Sequence, residues 1–279
     1  MTGKRVPRWK YAICNELFEG WPLARAASFA AELGYKGLEL APYTLARLVT
    51  DLTPADRQRI REDVEGAGLK VAGLHWLLAR TEGLQLNDPD AAVRERTAAY
   101  LLELIDFCAD VGGDVLVFGS PQQRNIPAGY PPQRAWENAV AIMRRCGERA
   151  LARGVVFCIE PLRPEETNFV NSVDQAAELV HRVDHPGFRM MVDVKAMSAD
   201  PRPVPELLRL VFPLIRHIHV NDPNRLGPGM GEVDFRPILQ TLCELGYEGW
   251  LSVEAFDFTP GCEYIARCSM ANLCAAAPQ

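Results

Sequence analysis

Four side chains with metal-ligand chemistry each stand at the end of an apolar, strand-like run: Glu160 in VVFCIE, Asp193 in RMMVD, His219 in IRHIH and Glu254 in WLSVE. Loop chemistry follows each run, as with Pro161 or Asn221-Asp222-Pro223. Three carboxylates and an imidazole converging on one point would repel one another and be costly to desolvate unless a cation neutralised them. The oxygen-rich set suits a hard or borderline divalent ion such as Mn²⁺, Mg²⁺ or Co²⁺ better than it suits a thiolate-type zinc site. A lone strand-end acid is more often a solvated residue; four at equivalent positions read as a metal site.

The elements that must position these groups are visible as an alternation repeated eight times. The strand candidates are Tyr11 to Cys14, Gly37 to Leu40, Lys70 to Trp76, Asp114 to Phe118, Val155 to Glu160, Phe188 to Asp193, Ile215 to Val220 and Gly249 to Glu254. They are continuously apolar, as strands of a parallel sheet buried on both faces must be. Between them lie amphipathic helical patterns, among them PLARAASFAAEL, PADRQRIREDVEGAG, AAVRERTAAYLLELIDFCADVG, RAWENAVAIMRRCGERALARG, SVDQAAELVHRVD and FRPILQTLCELG. Several open on Pro, Ser or Asp and close on Gly. The expected architecture is a closed (β/α)8 TIM barrel over residues 1–279, one domain with residues 1–9 as an N-terminal extension. An open doubly wound sheet would carry a glycine-rich phosphate turn after its first strand, where this chain has NELFEGWP.

Composition narrows the function classes. The chain has 279 residues, 48% of them hydrophobic and 24% charged, so it can bury one large core. A formal net charge of −6 argues against a polyanion partner such as nucleic acid. The eight cysteines contain no Cys-x-x-Cys pair and read as reduced, mostly structural thiols of a cytoplasmic protein. The basic start MTGKRVPRWK is followed by a segment too short and too polar for a secretory or membrane-spanning stretch, so neither export nor a membrane partner is expected.

The segments IEPLRPEETNFVNS, MMVDVKAMSAD, HIHVNDPNRLGPGMGEVDF and GYEGWLSVEAF resemble the xylose-isomerase-like barrel superfamily, and within it most of all the ketose 3-epimerase (D-tagatose 3-epimerase) family. The resemblance is close in the second half of the chain and holds in outline in the first. It implies one divalent metal bound by Glu160, Asp193, His219 and Glu254, with Glu160 and Glu254 also serving as the acid/base pair. Glu166 and Arg225 fall where that family places groups that bind the substrate, and it implies a homo-oligomer, dimer or tetramer. Chemically, moving a proton on a carbon beside a ketone requires a base near that carbon and a Lewis acid on the oxygens. Epimerisation also requires proton return to the opposite face, hence two carboxylates; aldose–ketose isomerisation could use one.

The chain departs from that family at Ala196, where a histidine follows the strand-six aspartate by three residues. Lys195 or His75 would then supply the missing contact to substrate. The departure leaves open related chemistry on hydroxypyruvate, a keto-inositol or a 3-oxo-glycoside. His75, beside Trp76 in GLHWLLAR, reads equally as a pocket residue and as a core histidine, and Glu39, ending GLEL, equally as support for the site and as structure. Asn15 and Glu16 also end a strand. Gly119 and Ser120 in VFGSPQQRN, with Arg124, could cradle a phosphate or form an ordinary tight turn. Phe18, Trp21 and Trp76 could wall a sugar ring, whereas His181 and His185 read as surface residues. A DNA-repair barrel of the endonuclease-IV type would need three zinc ions and many more than five histidines. A non-catalytic sugar-binding barrel would tolerate loss of a base, yet both glutamates are present.

Overall fold

The computed structural model describes residues 7–278. Eight parallel strands, β1 Lys10–Cys14, β2 Gly37–Leu40, β3 Lys70–Leu74, β4 Val115–Phe118, β5 Val156–Ile159, β6 Phe188–Asp193, β7 Ile215–Val220 and β8 Trp250–Val253, close in sequence order. Closure comes from β1 pairing with β8, Tyr11 lying beside Leu251 and Ile13 beside Val253. The barrel expectation is met, and three of its strand boundaries coincide with those read from the sequence.

The helices are α1 Leu23–Glu32, α2 Pro54–Glu65, α3 Ala91–Asp110, α4 Pro132–Arg153, α5 Val173–Val183, α6 Val194–Met197, α7 Val204–Val211, α8 Phe235–Leu245 and α9 Cys262–Ala276. Local chemistry sets their ends. Thr53 caps α2 by accepting from the Asp56 N–H while Asp56 accepts from the Thr53 N–H. Gly154 and Gly246 close α4 and α8 in the left-handed conformation. None of the amphipathic helical patterns read from the sequence corresponds to α6, α7 or α9. α6 is a single turn, α7 sits in a proline-rich stretch, and α9 is rich in Ala, Cys and Ser, which blurs its apolar stripe. No helix among the described residues is long and apolar enough to cross a membrane.

Successive strand residues alternate between the helix layer and the barrel interior. Leu38, Leu40, Phe157, Ile159, Ile218, Val220, Leu251 and Val253 belong to the main core between sheet and helices. Ala12, Ala72 and Trp250 form one small inner cluster, and Val115, Val117, Cys158 and Met191 another. Gly37 makes room for the indole, since a Cβ there would lie 2.9 Å from the Trp250 ring. Above these clusters the interior turns polar, with Glu39, His217, His219 and Ser252 all fully buried. Two register shifts interrupt the described ladder, between Leu38 and Glu39 on β2 and between Met190 and Met191 on β6. Trp9 packs into the core, whereas residues 1–6 of the expected extension lie outside the described residues.

Candidate active site

Glu160, Asp193, His219 and Glu254 converge at the carboxyl ends of β5 to β8. One ligand atom from each lies within 4.8 Å of all the others, and all four residues are buried. Metal–ligand bonds of about 2.0–2.6 Å allow donor atoms that far apart around one ion, so the set fits a divalent cation. Glu160 follows β5 directly, and its side chain occupies the space above Gly119, where a Cβ would fall 2.0 Å from Glu160 Oε2. Asp193 ends β6 and caps α6: its Oδ1 accepts from the Ala196 N–H at 2.7 Å and its Oδ2 from Asn221 Nδ2 at 2.6 Å. His219 Nδ1 stands 3.0 Å from Glu254 Oε2.

The electrostatics show the excess of negative charge. Burial, reinforced by Glu254 and Asp193, pushes the Glu160 carboxyl up to about 8 against the pull of His219 and Arg124. Burial, and then Glu254, raises Asp193 against the nearby Lys195. Burial alone would also raise Glu254, but His219 outweighs it and holds that carboxylate below its ordinary value. His219 rises well above the usual imidazole range: burial opposes its charge, but Glu254 and Glu39 outweigh burial. A bound cation would relieve the repulsion that lifts Glu160 and Asp193.

Beside the cluster opens a pocket whose lining includes His75, Trp76, Gly119, Ser120, Glu160, Leu162, Glu166, Glu254 and Phe256. Trp76 and Phe256 meet edge to face at 6.4 Å as its apolar wall. Glu166 accepts from Lys195 Nζ at 3.1 Å, and that ammonium lies 4.4 Å from the Phe256 ring centre. Lys195 is only 6% exposed, so its charge is screened mainly by these partners and by Asp193. His75 therefore lies on the pocket, and its Nε2 is 2.5 Å from Glu16 Oε2. Arg225 is exposed at the rim; its guanidinium contacts the Phe256 carbonyl at 3.4 Å, and its own carbonyl accepts from the Phe256 and Asp257 N–H groups.

Other sequence expectations are placed differently. Arg124 cannot face a phosphate: it is fully buried behind Glu160 and donates to the carbonyls of Glu160 at 2.6 Å and of Phe118 and Val170 at 3.3 Å. The Ser120 hydroxyl accepts from the Leu78 N–H, which makes it a turn brace at the pocket edge. Phe18 and Trp21 pack on each other and on Phe29 beside a separate cavity lined in part by Asn15 and Tyr43, leaving Trp76 as the one of the three on the main pocket. His185 is half-buried rather than on the surface, while His181 is exposed. The sequence reading passed over His217 and Asn221. The first had a signal: in His217-Ile218-His219 the two imidazoles are two residues apart on a strand and so share the interior face.

Residues 27–272 match the family described as Xylose isomerase-like TIM barrel. D-psicose 3-epimerase of Ruminiclostridium cellulolyticum is 26% identical over 230 residues, 81% of this chain and 75% of the relative. Fructoselysine 3-epimerase of Escherichia coli O157:H7 is 24% identical over 242 residues, 84% of this chain and 85% of the relative. Among solved structures, that of a D-psicose 3-epimerase in the presence of D-fructose superposes with a TM-score of 0.84 over 96% of this chain and 99% of that one; at 19% identity the likeness is one of fold. A family match across most of the chain, on a barrel closed in the expected order, shows that this protein belongs to the xylose isomerase-like TIM barrel family.

Proposed function

We propose that the protein is a divalent-metal-dependent ketose epimerase that inverts C3 of its substrate. The observation that carries the reading is the placement of Glu160 and Glu254 on one pocket while both belong to a buried four-residue cluster suited to a cation. Glu160, Asp193, His219 and Glu254 would hold the ion, with Mn²⁺, Mg²⁺ and Co²⁺ as the candidates. When bound, such an ion supplies Lewis acidity to the ketone and the neighbouring hydroxyl of the substrate.

The protein's own residues handle the proton. One glutamate takes it from C3, leaving a planar carbon, and the other delivers a proton to the opposite face, so the bond broken and the bond made are both C–H. Glu166, Lys195, His75 and Arg225 are the proposed substrate-binding groups, and the Trp76–Phe256 wall covers the apolar face of the sugar. Ala196 offers only its N–H, to Asp193, so the Lys195–Glu166 pair stands in for the imidazole of the ketose 3-epimerases. That replacement favours, as the second reading, the same proton chemistry on another hydroxy-ketone: hydroxypyruvate, a keto-inositol or a 3-oxo-glycoside. Eight free thiols, five of them buried, support a reducing cytoplasmic setting, and a homo-oligomer is the expected assembly.

Proton NMR in D₂O with Mg²⁺ tests the reading on fructose, tagatose, psicose and their phosphates. Deuterium at C3 together with the C3 epimer, abolished by EDTA and by Glu254→Gln, is the expected result. Absence of exchange at any carbon of any of these sugars in metal-loaded protein would sink it in favour of the second reading.

A further inference from the structure

Beneath the four-residue cluster lies a second buried group that the chemistry above does not use. Glu39 on β2 has no exposed surface, and each of its oxygens meets an imidazole: Oε1 stands 3.1 Å from His219 Nε2 and Oε2 stands 2.8 Å from His217 Nε2. The other nitrogen of His219, Nδ1, faces Glu254 within the candidate metal cluster. We propose that Glu39 is a positioning residue of the metal centre: by accepting from His219 Nε2–H it fixes the ring and its tautomer, so that the Nδ1 lone pair is presented to the ion.

The backbone supports this assignment independently. Opposite the Leu38–Glu39 step of β2 the strand β3 carries the extra residue Ala72, and opposite the Met190–Met191 step of β6 the strand β7 carries the extra residue Arg216, immediately before His217. Such irregularities re-aim side chains next to functional sites, and here they adjoin Glu39 and His217. His217 completes the device by holding the second carboxylate oxygen, which removes the freedom of Glu39 to rotate away from His219. His75 Nδ1 is 3.9 Å from Glu39 Oε1, and Cys14 Sγ lies within 4.8 Å of ligand atoms of both. A carboxylate on the far nitrogen of a metal-bound imidazole orients the ring and raises its basicity, and loss of such a partner typically costs about 10–100-fold in metal affinity.

The assignment rests on the metal-binding half of the function proposed above and not on the substrate, so its test uses the metal alone. Titration of metal-stripped protein with Mn²⁺ by calorimetry should give one ion per chain, and Glu39→Gln should weaken binding by about 10–100-fold. A glutamine presents an N–H to one of the two imidazoles and so favours the wrong tautomer there, whereas Glu39→Asp keeps the acceptor and should recover part of the affinity. A purely structural Glu39 would lower the melting temperature of the metal-free protein and leave the affinity of the folded protein unchanged; that result overturns the proposal. A stoichiometry of two ions would overturn it as well, because Glu39, His217 and His219 could themselves hold the second. Should the Gln variant fail to fold, ¹⁵N-histidine NMR of the Zn²⁺-loaded wild type decides: a proton on His219 Nε2 with Nδ1 metal-shifted supports the assignment, and the reverse refutes it. Metal binding without turnover of any ketose would break the epimerase reading and leave this one standing; no metal binding by the wild type would remove both.

Discussion

The two halves of the barrel rim use the same residue types to opposite effect. At the ends of β5 to β8, three carboxylates share one imidazole, and burial with mutual repulsion drives Glu160 up to about 8 and raises Asp193. On the β1 to β3 side each acid meets imidazoles, Glu16 that of His75 and Glu39 those of His217 and His219 reaching across from β7, His219 being shared with the cluster. Glu39, though wholly buried, is held well below the ordinary carboxylate range because His217 and His219 outweigh its desolvation. Glu16 is paired with His75 and lifts that imidazole above its usual value, yet burial still leaves the Glu16 carboxyl above its own ordinary value. The Glu39 set neutralises itself and acts as scaffold, whereas an unmatched set calls for a cation. The count of acids against imidazoles, more than the presence of either, separates the candidate reaction centre from its support.

The sharpest way to break this contrast is to remove an acid from the unmatched side. Glu254→Gln should lower kcat for ketose epimerisation by about 10²–10⁴-fold, the usual share of a positioned acid/base, and chelation of the metal should abolish turnover. A variant that keeps near-wild-type kcat would dissolve the assignment. Gly119→Ala removes no ionisable group but puts a methyl 2.0 Å from Glu160 Oε2, so the carboxylate must move. A displacement of that order is expected to cost roughly 10²-fold in kcat with the melting temperature much less affected.

Metal affinity should also depend on pH with a definite sign. Below about 8 the Glu160 carboxyl of the metal-free protein holds a proton that an incoming cation must displace. Affinity therefore rises with pH, by up to about tenfold per pH unit for each proton released, and levels off only once His219, whose imidazole is also held protonated, has lost its proton as well. Calorimetry in buffers of different ionisation heat would count the protons; an affinity that is flat from about pH 6 to pH 9 would contradict the charge imbalance. The smallest effect belongs to the rim. Arg225→Ala should raise KM by about threefold and leave kcat unchanged, as loss of uniform substrate binding does. A large fall in kcat instead would mean that its guanidinium contact to the Phe256 carbonyl shapes the pocket.

Much of the β5 to β8 side was legible because a strand buried on both faces is an uninterrupted apolar run, and an acid or histidine at its end stands out against it. Glu160, Asp193, His219 and Glu254 needed no tertiary information beyond the barrel itself to be brought together. The support side was far less legible. Glu39 and His75 are single polar residues in apolar runs, equally readable as core or as site, and His217 was overlooked although it shares a strand face with His219. Arg124 misled because its sequence neighbours, Gly119 and Ser120, suggest an anion loop. Its actual partners are carbonyls, among them those of Glu160 and Val170, at sequence separations of 36 and 46 residues.

Periodicity and strand-end chemistry were thus enough to establish eight βα units, closure into a barrel and a cluster of acids with one histidine at its carboxyl face, because burial on both sides and charge repulsion leave few other solutions. Only the folded barrel decided which nitrogen of each imidazole meets which oxygen, that Lys195 pairs with Glu166 beneath Phe256, and that Gly119 makes room for the Glu160 carboxyl. Those are differences of an ångström or a register step between residues far apart in the chain, set by ladder irregularities and close packing that no local pattern encodes.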